Sequence, residues 1–111
     1  MFLQRMPATV REIRHPPPGD LDLATILRTL GDPLRLQLVR TLAQPGAEPT
    51  CGQISEAMGL PTSTCSYHLR LLREAGVTRT RAAGTERFIS LRRDDLEGRF
   101  PGLVEVLVGE G

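Results

Sequence analysis

The sequence predicts a mainly α-helical domain carrying one small β-hairpin, and three observations support it. Four stretches between residues 21 and 75 repeat apolar residues at helical spacing, fenced by capping residues or glycines. Two β-prone runs, Val77–Arg81 and Glu86–Leu91, flank a turn that contains Gly84. The stretch after Asp94 is apolar again at helical spacing, but Pro101 breaks it. A chain of 111 residues makes one domain, thin for a helical core unless a second copy covers the surplus apolar surface.

Taken in order, Met1–Gly19 has weak periodicity and ends in His15-Pro16-Pro17-Pro18-Gly19, which cannot be helical. It reads as a flexible arm whose Arg5, Arg11 and Arg14 are free for a phosphate or a partner subunit, with the folded domain spanning residues 20–111. Asp20 is the expected N-cap of a helix over Leu21–Leu30, with an apolar stripe of Leu23, Ile26, Leu27 and Leu30. Gly31 ends it, and Asp32-Pro33 supplies the N-cap and first position of the next helix, whose Leu34, Leu38, Val39 and Leu42 turn inward. Gln44–Pro49 is a loop. Thr50 and Gln53 stand at capping-box spacing and start a third helix at Cys51, with Ile54, Ala57 and Met58 apolar and Gly59 as its stop.

Gly59-Leu60-Pro61 is then a sharp turn into a fourth helix over Thr62–Ala75, closed by Gly76. Cys65, Leu69 and Leu72 share its inner side; Thr62, Ser63, Ser66, Tyr67, Arg70 and Arg73 share the outer one. Two helices meeting so tightly need slim residues at the crossing, which Ser55, Gly59 and Cys65 provide. The hairpin follows, with Ala82-Ala83-Gly84-Thr85 as its turn and Arg79, Arg81 and Arg87 near its tip. The terminal segment offers Phe100, Leu103, Val104 and Leu107, a stripe that pairing with the first helix of a second copy would bury.

Net charge is only +1, which excludes binding by bulk charge, but its distribution is uneven. Residues 1–61 are neutral overall, residues 62–93 carry +5 and residues 94–111 carry −4, and every cation in the chain is Arg. The basic stretch coincides with the fourth helix and the hairpin. An outer helix face of hydroxyls, a phenol and guanidiniums suits base edges and phosphates in a major groove, and a hairpin-tip Arg suits a narrow minor groove. The pattern is that of a winged helix-turn-helix, with double-stranded DNA as the expected partner.

The words themselves resemble the ArsR/SmtB winged-helix transcriptional repressors over about Leu21–Val108. LGDPLRLQLVRTLA at residues 30–43 is similar to that group's Asp-Pro-x-Arg helix start, STCSYHLRLLREAGV at 63–77 to its recognition helix, GTERFISLR at 84–92 to its second wing strand, and RFPGL at 99–103 to the tail of an actinobacterial subgroup. The resemblance implies a homodimer that sets two recognition helices in successive major grooves of a partly palindromic operator and is released by a small-molecule effector. It makes Thr62, Ser63, Thr64, Ser66, Tyr67 and Arg70 candidate base or phosphate contacts and Arg87 the wing contact, while Arg73 and Arg81 are candidates by their places on the outer helix face and near the hairpin tip. His68 is either a backbone contact or a half-buried structural residue. Pro61 replaces a Ser common in the group, and Cys65 a branched aliphatic.

The group's metal sites need a Cys-x-Cys in the third helix or His and carboxylate ligands in the last, and this sequence has neither, so no metal and no cofactor is expected. Cys51 at a helix start has the setting of a reactive thiol, and Cys65 that of a core filler. Helix geometry sets the pair slightly beyond the span of about 7 Å that a disulfide tolerates. A thiol-based redox sensor through Cys51 and Cys65 is one alternative, and a winged-helix module that binds a protein is the other. An enzyme is not expected, because no nucleophile–base pair, phosphate-cradling loop or ligand cluster is visible. Two cysteines, no signal-peptide pattern and no long apolar run point to the cytoplasm and away from a membrane.

Overall fold

The structure, a computed structural model, describes residues 13–109. The elements run α1 (Leu23–Leu30), α2 (Pro33–Arg40), α3 (Cys51–Met58), α4 (Thr62–Glu74), β1 (Thr78–Ala83), β2 (Glu86–Leu91), α5 (Arg93–Arg99) and α6 (Leu103–Val108). This is the winged helix-turn-helix order, with the expected single C-terminal segment divided in two where Pro101 forbids a continuous helix.

Local chemistry explains most boundaries. Asp32 Oδ1 accepts from the Leu34 and Arg35 N–H groups at 2.8 and 3.3 Å, and Pro33 occupies the first helical position. These bonds, the Leu34 one foremost, hold the Asp32 carboxyl below its ordinary value. Thr50 and Gln53 form the reciprocal capping box, with Gln53 N–H donating to Thr50 Oγ1 at 3.1 Å and Thr50 N–H to Gln53 Oε1 at 2.9 Å. Gly59 ends α3 in the left-handed region at φ 66°. The Ser55 hydroxyl, buried at the α3–α4 crossing, donates to Leu60 O and locks the turn.

Three boundaries differ from the sequence reading. Asp20 does not cap α1; it lies in a 3₁₀ turn, Pro18–Asp20, and Asp22 accepts from Thr25 N–H at 3.0 Å instead. Leu21 is drawn into the core in extended backbone, so the helix starts two residues later. The hairpin loop is only Gly84-Thr85, because Ala82 and Ala83 continue the ladder opposite Arg87 and Glu86. Residues 13–20, read from the sequence as part of a flexible arm, are also tied to the body. Arg92 donates to Pro16 O at 2.8 Å, and Arg99 donates to Pro18 O, Gly19 O and Leu21 O. Arg5 and Arg11 fall outside the described residues.

Ile26, Leu38, Val39, Leu42, Ile54, Leu72, Ile89 and Leu96 form the centre of the core, so α1–α5 and the hairpin all contribute to it. The stripe read as a dimer face is split. Ile26, Leu30, Val104 and Leu107 are buried within the subunit, and Phe100 and Leu103 pack on its core. Leu23 and Leu27 stay 40 % and 50 % exposed; on α6, Val106, which the sequence reading did not single out, is 72 % exposed. Among the described residues no helix is long and apolar enough to cross a membrane.

Candidate nucleic-acid interface

α4 presents the outer face expected of it. Thr62, Ser63, Ser66, Tyr67 and Arg70 are exposed, and Thr64 and Arg73 are half-buried. Pro61 precedes α4 without a side-chain cap, so the first-turn N–H groups of Thr62, Ser63 and Thr64 donate to no capping side chain. Free amides at a helix start are suited to a phosphate oxygen. Arg70 lies 5.5 Å from the centre of the Tyr67 ring and 3.3 Å from Glu74 Oε2, half-exposed contacts that set its direction without neutralising it.

Between α4 and the hairpin runs a groove of about 480 Å³, floored by Leu69 and Ile89 and walled by Ser66, Arg70, Arg73 and Arg87. Strand pairing decides which wing residues reach it. Thr80 stands opposite Ile89 and Ala82 opposite Arg87, and Thr80, Ile89 and Arg87 share the groove side. Arg79 and Arg81 alternate onto the other face. Arg81 reaches Glu48 at 2.9 Å and lies 4.7 Å over the Phe88 ring, while Arg79 reaches Asp95 at 3.3 Å. The structure therefore brings Arg87 to the recognition helix and turns Arg81 away. Arg73 lines the groove as well, and its Nε is buried with no hydrogen-bond partner among the described residues.

His68 takes the structural of its two readings. It is 9 % exposed, and Arg35 donates to its Nδ1 at 3.2 Å. Arg35 is itself held by Thr29 O at 2.7 Å, so the back of the recognition helix is tied to the α1–α2 turn. Nothing in the sequence signals this link, because the partners lie 33 residues apart. The Cys51 thiol sits 3.6 Å from Ser66 Oγ on the groove wall. Cys65 is fully buried beside it, and burial first, then the neighbouring Cys51, pushes its thiol up to about 11. A thiol so hard to ionise is a poor attacking group. Among the described residues no group of three or more His, Cys, Asp or Glu side chains is placed to hold a metal ion.

Comparison with known proteins agrees with this geometry. A family model described as a helix-turn-helix domain matches residues 30–81. The chain is 40 % identical over 84 residues to an uncharacterized HTH-type transcriptional regulator of Bacillus subtilis, covering 76 % of this chain and 84 % of that protein. Among solved structures it is similar to a homodimeric winged helix-turn-helix DNA-binding domain from Mycobacterium bovis, itself described as a possible ArsR-family regulator, with TM-score 0.65, 29 % identity and coverage of 77 % and 76 %. It is also similar to the transcriptional repressor BigR from Xylella fastidiosa, with TM-score 0.62, 34 % identity and coverage of 77 % and 81 %. With its Asp-Pro helix start, its exposed α4 face and its hairpin in the wing position, the chain belongs to the ArsR/SmtB-type helix-turn-helix transcriptional regulators.

Proposed function

We propose that a homodimer of this chain acts in the cytoplasm as a repressor, laying α4 of each subunit in successive major grooves of a partly palindromic operator with the wing on the flanking minor groove. The observation that carries the reading is the convergence of Ser63, Ser66, Tyr67, Arg70, Arg73 and Arg87 on one open groove. Hydroxyls and guanidiniums there supply donors for base edges and phosphates, and one good bidentate base contact is worth about 1–3 kcal/mol of discrimination. The exposed Leu23, Leu27 and Val106 support the dimer, since a second copy would take them out of water. Release by a small-molecule effector belongs to the same reading. Catalysis has no part in it.

Fluorescence anisotropy with a duplex from the gene's own promoter region tests this, alongside light scattering for the dimer mass. A dimer that prefers that duplex over random sequence by about a thousandfold or more is expected. Equal, weak binding to every duplex would instead favour a protein partner for the same surface.

A further inference from the structure

We propose that the segment Ile13–Leu21 is a clasp that positions the wing for DNA, and that His15 is its positioning residue, holding the open edge of β1 when neutral and letting go when protonated. The proposal rests on the DNA-binding reading above.

A two-stranded hairpin is marginal alone, and its outward amides need partners. On the β2 side the fold supplies them, with Ile89 N–H donating to Pro49 O at 2.9 Å and a bridge between Thr50 and Phe88. On the β1 side the outward Thr80 N–H donates to His15 Nε2 at 3.0 Å. A backbone amide can only donate, so Nε2 must carry a lone pair and the ring must be neutral. The charges facing the ring are the Arg73 guanidinium from α4, Arg79 from β1 and Arg92 from the start of α5. The nearby carboxylate, Asp95 of α5, is already shared between Arg79 at 3.3 Å and Arg92 at 2.9 Å. A protonated ring would therefore lose its acceptor and meet three cations at once.

The remainder of the clasp stays anchored when His15 lets go. Arg92 and Arg99 hold the carbonyls of Pro16, Pro18, Gly19 and Leu21, and Leu21 and Pro16 pack directly on Gly76, where a Cβ would overlap Leu21 Cδ2. Gly76 is the joint between α4 and β1, so the clasp presses on the point that sets the angle between recognition helix and wing.

The test follows two readouts from about pH 8 to about pH 4.5, through the ordinary histidine range and below it, because burial and the facing arginines lower His15. The first is the Thr80 amide resonance and its hydrogen exchange in the DNA-free protein; the second is affinity for the promoter duplex. Both are measured in wild type, His15→Gln and His15→Ala, and His68 is present in all three. Wild type should lose the Thr80 bond on acidification and should lose about tenfold in affinity relative to His15→Gln, the size one unmade hydrogen bond can reach. His15→Gln, which accepts without titrating, should stay tight and flat, and His15→Ala should match acidified wild type at every pH. A Thr80 resonance that ignores His15 would overturn the clasp itself. A Thr80 resonance that titrates while affinity runs parallel in all three chains would overturn its role in placing the wing. Absence of any sequence preference in wild type at about pH 8 would overturn the proposal through the DNA-binding reading on which it depends.

Discussion

Among the described residues, the arginines around the hairpin fall into two populations on its two sides. On the groove side, Arg70 and Arg87 are exposed and Arg73 keeps an unpartnered donor. On the other side and beneath it, Arg92, Arg93 and Arg99 are committed to the protein's own backbone, gripping the carbonyls of Pro16, Ala43 and Leu21 among others. Arg40 does the same for Leu107 O at 2.9 Å. Carbonyl oxygens are satisfied by a guanidinium without any loss of its charge, whereas the exposed guanidiniums of Arg70 and Arg87 remain accessible to acceptors of the kind a nucleic acid backbone carries. One residue type thus serves as internal fastener on one side and is left exposed on the other, and the +5 charge of residues 62–93 counts both without distinguishing them.

The contrast can be broken by exchanging expectations between the two sides. Arg92→Ala should have the largest effect, about 3 kcal/mol of lost stability by urea unfolding, because its side chain is 1 % exposed and its loss leaves Pro16 O without that donor and Asp95 with the exposed Arg79 alone. An Arg92 variant as stable as wild type would erase the distinction. Next, Arg70→Ala and Arg87→Ala should each weaken binding to the promoter duplex by about 1–3 kcal/mol by anisotropy while leaving the unfolding midpoint nearly unchanged. Thr50→Ala removes half the capping box and should lower stability by about 1 kcal/mol, with DNA affinity following only as far as folding does. Arg81→Ala should be nearly silent in both assays, under about 1 kcal/mol, since its pair with Glu48 is half-exposed and faces away from the groove.

Acid sharpens the same comparison through the helix caps. Asp22 and Asp32 both titrate below their ordinary 3.8, chiefly because Thr25 donates to Asp22 and the Leu34 N–H to Asp32. A lowered native pKa means that each cap contributes stability above about 3.8 and loses it as pH falls through the native value. His15 is lowered from 6.5, by burial first and by Arg79, Arg92 and Arg73 after it. Its contribution is therefore present above about 6.5 and declines as pH falls from there toward its native value. Unfolding curves should show a shallow loss below neutrality that His15→Gln removes, then a steeper one in the carboxylate range.

Elements defined by short-range chemistry were legible in the sequence. The Asp32-Pro33 start, the Thr50–Gln53 box, the Gly59 stop and the outer face of α4 each follow from residues within one or two turns. What the sequence hid lies between distant residues. Strand alternation separated Arg81 from Arg87 only once the ladder was seen to run through Ala82 and Ala83. The proline run looked like a free arm because the guanidiniums that hold it, Arg92 and Arg99, lie 76 and 81 positions away from Pro16 and Pro18. The apolar stripe of α1 likewise concealed its division into core residues, Ile26 and Leu30, and exposed ones, Leu23 and Leu27.

Amide shift mapping on titration with the promoter duplex tests the reading side most directly. The largest changes are expected at Ser63, Ser66, Tyr67, Arg70 and Arg87, with Arg81, Arg92 and α5 barely moved. Changes centred on α5 instead, with α4 silent, would contradict the account.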